Sequence, residues 1–178
     1  MGKLFTPEKT LNSLTPNCPG AIGHDDLILA QTRWAEAIVD IGRVYLSEGD
    51  YRTRAEMHIL DLYGFETGPV LFKPTLASEF PFRTRFDEAL SYFVGGGIAE
   101  DRGFALRPWS SVEFGKQQIM FVDGGAFAMG EYVFTPHNEA EPPVRVEFTF
   151  GYVREADGAL RICLHHSSLP YQPEGVRS

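Results

Sequence analysis

Positive charge is scarce in this chain. Its 178 residues carry 16 Lys and Arg against 24 Asp and Glu, a formal net charge of −8. Phosphate binding needs a basic face and none is visible, which argues against a nucleic-acid partner. Long apolar runs are missing as well. Nothing approaches the roughly 20 residues of a membrane span, and the opening MGKLFTPEKTLNSLTPNCPG lacks the apolar core of a secretory signal. A formal MGxxxT start at Met1–Thr6 is a chance match to the myristoylation pattern. Cysteine is nearly absent. Cys18 and Cys163, far apart, suit free thiols in a reducing compartment, so a cytoplasmic protein is expected.

Local metal-ligand spacings are also lacking. The histidines are His24, His58, His137, His165 and His166, and no His-Xaa-His, His-Glu-Xaa-Xaa-His or Cys-Xaa-Xaa-Cys occurs. His165 and His166 are adjacent, and neighbours on a strand point to opposite faces. A three-His zinc centre would need the fold to bring His58 or His137 beside His166. Gly95-Gly96-Gly97 lacks the following Lys-Ser/Thr of a phosphate loop and reads as a helix end. No cofactor is therefore expected from the local spacings, with a three-His zinc centre left open.

What is present is a soluble globular composition, 43% hydrophobic and 22% charged, of a length that fits one domain. Residues 1–23 read as a lead-in arm, 24–171 as the domain and 172–178 as a tail. Leu27, Ala30, Trp34, Ile38, Ile41 and Tyr45 are spaced three and four apart, which predicts an amphipathic helix over 24–49. A second helix is expected over 51–63 and a third over 83–94, with a short strand at GPVLFKPT between them. After Gly103 the period changes to two. FALRPW, SVEFGKQQIMFV, GAFAMGEYVFT, VRVEFTFGYVRE and ALRICLHHSS read as five strands. Asp123-Gly124-Gly125 and Asp157-Gly158 mark hairpins. Helices followed by an antiparallel meander give an α+β class.

The last strand begins with alternating aliphatics and ends in His-His-Ser-Ser. A three-residue loop at Ala156-Asp157-Gly158 pairs Val153 with Arg161. That register gathers Val144, Val146, Phe148, Phe150, Tyr152, Leu160, Ile162, Leu164, His166 and Ser168 on one face, and Cys163, His165 and Ser167 on the other. Two readings of the polar end stand side by side: core groups satisfied by backbone, or a binding site.

HHSSLPY after a long strand, VLFKPT after two helices, ALSYFVGG and EDRGFAL together resemble the iota-class carbonic anhydrases, from about His24 to Tyr171. That family shares a cone-shaped fold with the calcium/calmodulin-dependent kinase II association domain and the nuclear transport factor 2-like group. The resemblance implies a strongly bent antiparallel sheet closed as a cone-shaped barrel around N-terminal helices, a homodimer, and interconversion of carbon dioxide and bicarbonate. It places the catalytic groups at Thr75 of KPT, Tyr92 of ALSYF, and His166 and Ser168 of HHSS. Members thought to work without metal use hydroxyls and a histidine, whereas others have been described as zinc- or manganese-dependent.

The residue types suit that chemistry. Phe148 and Phe150 would line an apolar pocket for carbon dioxide. Thr75, Ser168 and Tyr92 would donate to the developing charge. His166 would serve as the base that a water of pKa roughly 15.7 requires. The alternative is a non-catalytic ligand-binding or oligomerisation module. No Asp is found on the assigned inward face, where the isomerases and dehydratases of this fold keep one.

Overall fold

Asp25 and Asp26 lie in the first turn of the first helix, α1 (His24–Leu46), and the Asp26 carboxylate accepts a 3.0 Å hydrogen bond from the Gly23 amide, as negative charge at a helix start should. The computed structural model to which this helix belongs describes residues 20–173. Most of the expected arm, with Cys18, and the end of the tail lie outside the described residues. Helix α2 (Tyr51–Leu62) is capped by Asp50, whose side chain accepts from Thr53 N at 3.0 Å. Strand β1 (Leu71–Lys73) and helix α3 (Phe86–Val94) follow. All three helices stand where the periodicity puts them, and their starts and ends differ by a few residues.

Four long strands complete the chain: β2 (Trp109–Val122), β3 (Gly125–Pro136), β4 (Val144–Arg154) and β5 (Leu160–Ser168). FALRPW, expected as a strand, is instead a short 3-10 turn at Phe104–Leu106 that leads into β2. The two hairpins form at Asp123-Gly124 and around Asp157-Gly158, where Gly124 and Gly158 take φ of 71° and 84°. Strand order is β1-β5-β4-β3-β2. The sheet corrects the expectation twice: β1 runs parallel to β5, making it mixed, and β1 and β2 are left as edges, so it is an open sheet and no closed barrel.

Helix α1 lies across the inner face of this sheet. Leu27, Ala30, Trp34, Ile38 and Ile41 of the expected stripe are buried, and only Tyr45, near the helix end, is exposed. Trp34 stacks on Tyr132 of β3 at 5.4 Å between centroids and meets the Phe150 ring of β4 edge-on at 5.5 Å. Such pairs add roughly 0.5–1.5 kcal/mol each beyond their area. Arg154 of β4 fixes the helix start, donating to Gly20 O at 2.9 Å and Asp26 Oδ2 at 2.6 Å.

Irregularities in the ladder decide which way the side chains face. Val153 lies opposite Arg161, as expected, and Tyr152 lies opposite Ile162; then Gly151 faces Leu164. Cys163 is thus an extra residue in β5, a bulge that reverses the alternation beyond it. Gly151 makes room for it, since a Cβ there would stand 3.0 Å from Leu164 Cβ and 3.1 Å from the Phe127 ring. A second irregularity interrupts β2 between Phe114 and Gln117, where Gly130 of β3 is needed because a Cβ would run into the Lys116 carbonyl.

Candidate active site

The bulge at Cys163 corrects the face assigned to the HHSS end. Ile162 is buried on the inner face with Phe148, Phe150 and Tyr152, as the alternation requires. Beyond Cys163 the phase shifts. His165 and Ser167, opposite Phe150 and Phe148, turn inward with exposures of 2% and 4%, while His166 is exposed and Ser168 half-buried on the outer face. His166 and Ser168 border a shallow outer depression with Lys116, Glu131 and Glu147.

Thr75 follows β1, which pairs with β5 from Leu164 to His166. That pairing brings Thr75 Oγ1 to 2.9 Å from Ser167 Oγ, a hydrogen bond between two hydroxyls. Tyr92 comes from α3, buried and stacked on Phe104 at 5.5 Å. Thr75 and Tyr92 both line a cavity of about 530 Å³. Its apolar wall includes Phe104, Trp109, Phe134 and Val146. Phe148 and Phe150, expected in that lining, are packed behind it around Trp34, Tyr132 and His165.

Behind the hydroxyl pair lies a chain of buried polar groups. Trp34 Nε1 donates to Tyr63 Oη at 2.9 Å, Tyr63 Oη is 2.9 Å from His165 Nδ1, and His165 Nε2 is 3.3 Å from Tyr132 Oη. The Ser167 hydroxyl stands beside Tyr132. Rings enclose the imidazole: Phe150 at 4.3 Å, Phe72 at 4.7 Å and Trp34 at 5.4 Å between centroids. Burial disfavours the imidazolium and holds the His165 pKa down to about 3, with His166 next door adding to the effect. Burial pushes the Tyr63, Tyr92 and Tyr132 phenols up, so they are neutral donors at ordinary pH. The His166 pKa is lowered as well, by partial burial and then by Lys73.

The EDRGFAL segment does structural work beside the cavity. The Glu100 carboxylate accepts from the amides of Ser78, Glu79 and Phe80 at 2.9–3.1 Å, and those three bonds hold its pKa below the usual carboxylate range. Arg83, fully buried, donates to Glu100 at 3.1 Å and Asp101 at 2.9 Å; Asp101 also accepts from Ser91 Oγ at 2.7 Å. These bonds fasten the loop from Leu76 to Arg83 over the cavity wall. Asp101 is an acidic group bordering the cavity, which the sequence reading did not anticipate, and its carboxylate is engaged by Arg83 and Ser91. Among the described residues no group of three or more His, Cys, Asp or Glu side chains is arranged to hold a metal ion, and no helix is long and apolar enough to cross a membrane.

Residues 25–169 match the family model described as metal-independent carbonic anhydrase. The chain belongs to the metal-independent carbonic anhydrase family. A member from Nostoc sp. (strain PCC 7120) is 41% identical over 163 residues, 89% of this chain and 78% of that protein. The crystal structure of a cyanobacterial iota-carbonic anhydrase complexed with bicarbonate superposes with a TM-score of 0.83 at 39% identity, over 90% of this chain and all of that one. A putative calcium/calmodulin-dependent kinase II association domain from Xanthomonas campestris shares the fold, with a TM-score of 0.60 at 22% identity over 89% of this chain and 94% of the other. The activity of the family is the interconversion of carbon dioxide and bicarbonate without metal.

Of the residues named from the sequence, Thr75 and Tyr92 line the cavity; Trp34, Tyr63, Tyr132, His165 and Ser167, which form the buried polar groups beside it, are not among those the sequence reading assigned. The available signal was Gly151, a lone glycine within a strand of bulky residues, which marks bulges and close approaches.

The buried imidazole makes stability depend on pH. Its folded pKa is depressed, so the unfolded chain binds the extra proton between about pH 6.5 and 3, and stability is complete above that window and falls on acidification. At pH 5 the loss relative to pH 7 should be about 2 kcal/mol. Urea denaturation at the two pH values should show it, and His165→Gln should abolish most of the difference. Equal slopes for the two proteins would contradict a neutral buried imidazole.

Proposed function

We propose that carbon dioxide hydration takes place in the 530 Å³ cavity, with Tyr92 and the linked hydroxyls of Thr75 and Ser167 supplying the donors to the forming bicarbonate, Ser167 keeping its own hydrogen for the anion while it accepts from Thr75. One observation carries this assignment: Thr75 Oγ1 and Ser167 Oγ meet at 2.9 Å beside a cavity that is otherwise mainly aromatic and aliphatic. The bicarbonate held by the cyanobacterial relative supports an anion of that size and charge as the ligand. Ser167 takes the part expected of Ser168 because the bulge turns it inward; His165 turns inward with it but does not take the role of base expected of His166.

Carbon dioxide is apolar and enters an aromatic cavity without losing hydrogen bonds to water. As the water oxygen bonds to carbon, one C=O π pair moves onto oxygen and negative charge grows there. Preformed hydroxyl donors aimed at that charge lower the barrier as an oxyanion hole does. The proton of the attacking water leaves through the open mouth to solvent or buffer. Asp101 is paired with Arg83, and the phenols are neutral, so neither supplies a ready base. The family description and an all-hydroxyl donor set support a reaction that needs no zinc or manganese.

The remaining assignments concern setting and partner. Sparing use of cysteine supports a reducing cytoplasm. A second copy of the chain is the partner assigned to the outer sheet face. Met120, Phe127 and Met129 are exposed there on adjacent strands. Glu131 and Glu147 lie opposite each other, with Arg145 3.5 Å from Glu131. The patch thus carries both signs beside apolar surface, as a self-complementary two-fold contact requires.

Three outcomes are expected. Stopped-flow hydration should proceed undiminished in chelator, and loss of turnover on removing a stoichiometric metal would overturn the metal-free reading. Thr75→Ala and Ser167→Ala should each lower kcat by about 100-fold or more, whereas His166→Ala and Ser168→Ala, on the outer face, should stay within a fewfold; the reverse pattern would return the site to the outer pair. Light scattering at micromolar concentration should give twice the chain mass, and a species of single-chain mass would refute the dimer.

A further inference from the structure

The direction of the buried hydrogen-bond chain follows from one donor. The indole N–H of Trp34 can only donate, so Tyr63 Oη accepts from it at 2.9 Å. Tyr63 then has a single hydrogen to place, and it is almost wholly buried, with 1% exposure. His165 Nδ1, at 2.9 Å, is the acceptor within reach. If Nδ1 carried the proton instead, Tyr63 Oη would receive two donors and its own O–H would be left without an acceptor. Such a buried unpaired donor costs roughly 1–3 kcal/mol. The neutral ring therefore keeps its proton on Nε2, which faces Tyr132 Oη at 3.3 Å.

We propose that Trp34 and Tyr63 lock His165 as the neutral Nε2–H tautomer, which makes the imidazole a positioning donor to Tyr132 and leaves it no lone pair to act as base. The role in catalysis rests on the reading given under Proposed function; the tautomer itself does not. Both ring nitrogens are engaged. Nδ1 accepts from Tyr63 and Nε2–H occupies a lone pair of Tyr132, which leaves the Tyr132 hydrogen free for the Ser167 hydroxyl beside it. Every donor in the series Trp34, Tyr63, His165 and Tyr132 thus points toward the hydroxyls proposed to receive the anion.

The surroundings hold this arrangement. Phe72 from β1, Phe150 from β4 and Trp34 from α1 pack against the imidazole. The titratable groups facing it are Tyr63 at the end of α2 and Tyr132 on β3, both neutral. His166 follows on the outer face, beside Lys73. The chain cannot serve as a proton exit, because it ends at an indole that holds its proton permanently.

Ring 15N chemical shifts of His165 in the full-length protein test the lock directly. Nε2 should have the pyrrole-like shift and Nδ1 the pyridine-like shift, both unchanged from pH 5 to 8. Tyr63→Phe removes the donor to Nδ1. Its His165 shifts should move toward a mixture of tautomers, and kcat should fall about 10- to 100-fold, the scale of losing an orienting partner, with circular dichroism unchanged. A protonated Nδ1 in the native protein, a titration of His165 near neutrality, or shifts unaffected by Tyr63→Phe would each overturn the proposal. If the shifts behave as stated while the native protein hydrates no carbon dioxide, the lock is supported and the catalytic reading fails on its own.

Discussion

Cys163 has no partner of its own on β4. Ile162 lies across from Tyr152 and Leu164 across from Gly151, so one residue of β5 is left over between them. Everything after it changes face. With that residue paired, Leu164, His166 and Ser168 would enter the core, and His165 and Ser167 would meet solvent. With it bulged, the His165 imidazole stands among Phe72, Phe150 and Trp34 and the Ser167 hydroxyl beside Thr75 and Tyr132, while Leu164 reaches the outer surface beside Phe127. The absent side chain of Gly151 is the other half of this arrangement, because any Cβ there would crowd Leu164 and Phe127.

Placing polar groups in an aromatic core is costly unless each finds a partner. Here the partners come from four different elements: Trp34 from α1, Tyr63 just past α2, Tyr132 from β3 and Thr75 just past β1. A network drawn from so many elements demands one relative placement of helices and strands, since a small slide of α1 would leave the Trp34 indole N–H without its acceptor. Apolar side chains of similar size would tolerate that slide. The aromatic contacts supply most of the packing, and the polar chain selects the arrangement in which the donors face the cavity.

Much of the fold was legible because its signals are local. The 3.6-residue stripe from Leu27 to Ile41 depends only on neighbours in sequence, and so do the Asp-Gly turns. The pairing of Val153 with Arg161 near the turn of the last hairpin followed from loop length alone. Bulges are not local in that sense. The one in β5 depends on what β4 and β1 place beside it, and counting alternate residues carried the error from Leu164 to Ser168. Sheet closure and the parallel pairing of β1 are also long-range facts. Trp34, Tyr132 and Tyr63 illustrate a third limit. Their apolar bodies suit core positions, and nothing in the chain order tells that their N–H and O–H groups join into one path.

The association domain and this chain share a fold at 22% identity, so the scaffold does not itself carry the chemistry. The interior proposed here is a one-way series of donors that ends at hydroxyls and contains no group ready to take a proton. Charge stabilisation and proton removal are thereby separated in space. In the proposed reading the anion would be met at the buried wall, by donors with fixed orientation, and the proton would depart toward the open side of the cavity. A histidine base at the buried end would have combined the two tasks, but an imidazole enclosed by Phe72, Phe150 and Trp34 could be protonated only at the cost of desolvating its charge. The burial that fixes the direction of the donors is the same burial that removes His165 from acid–base work.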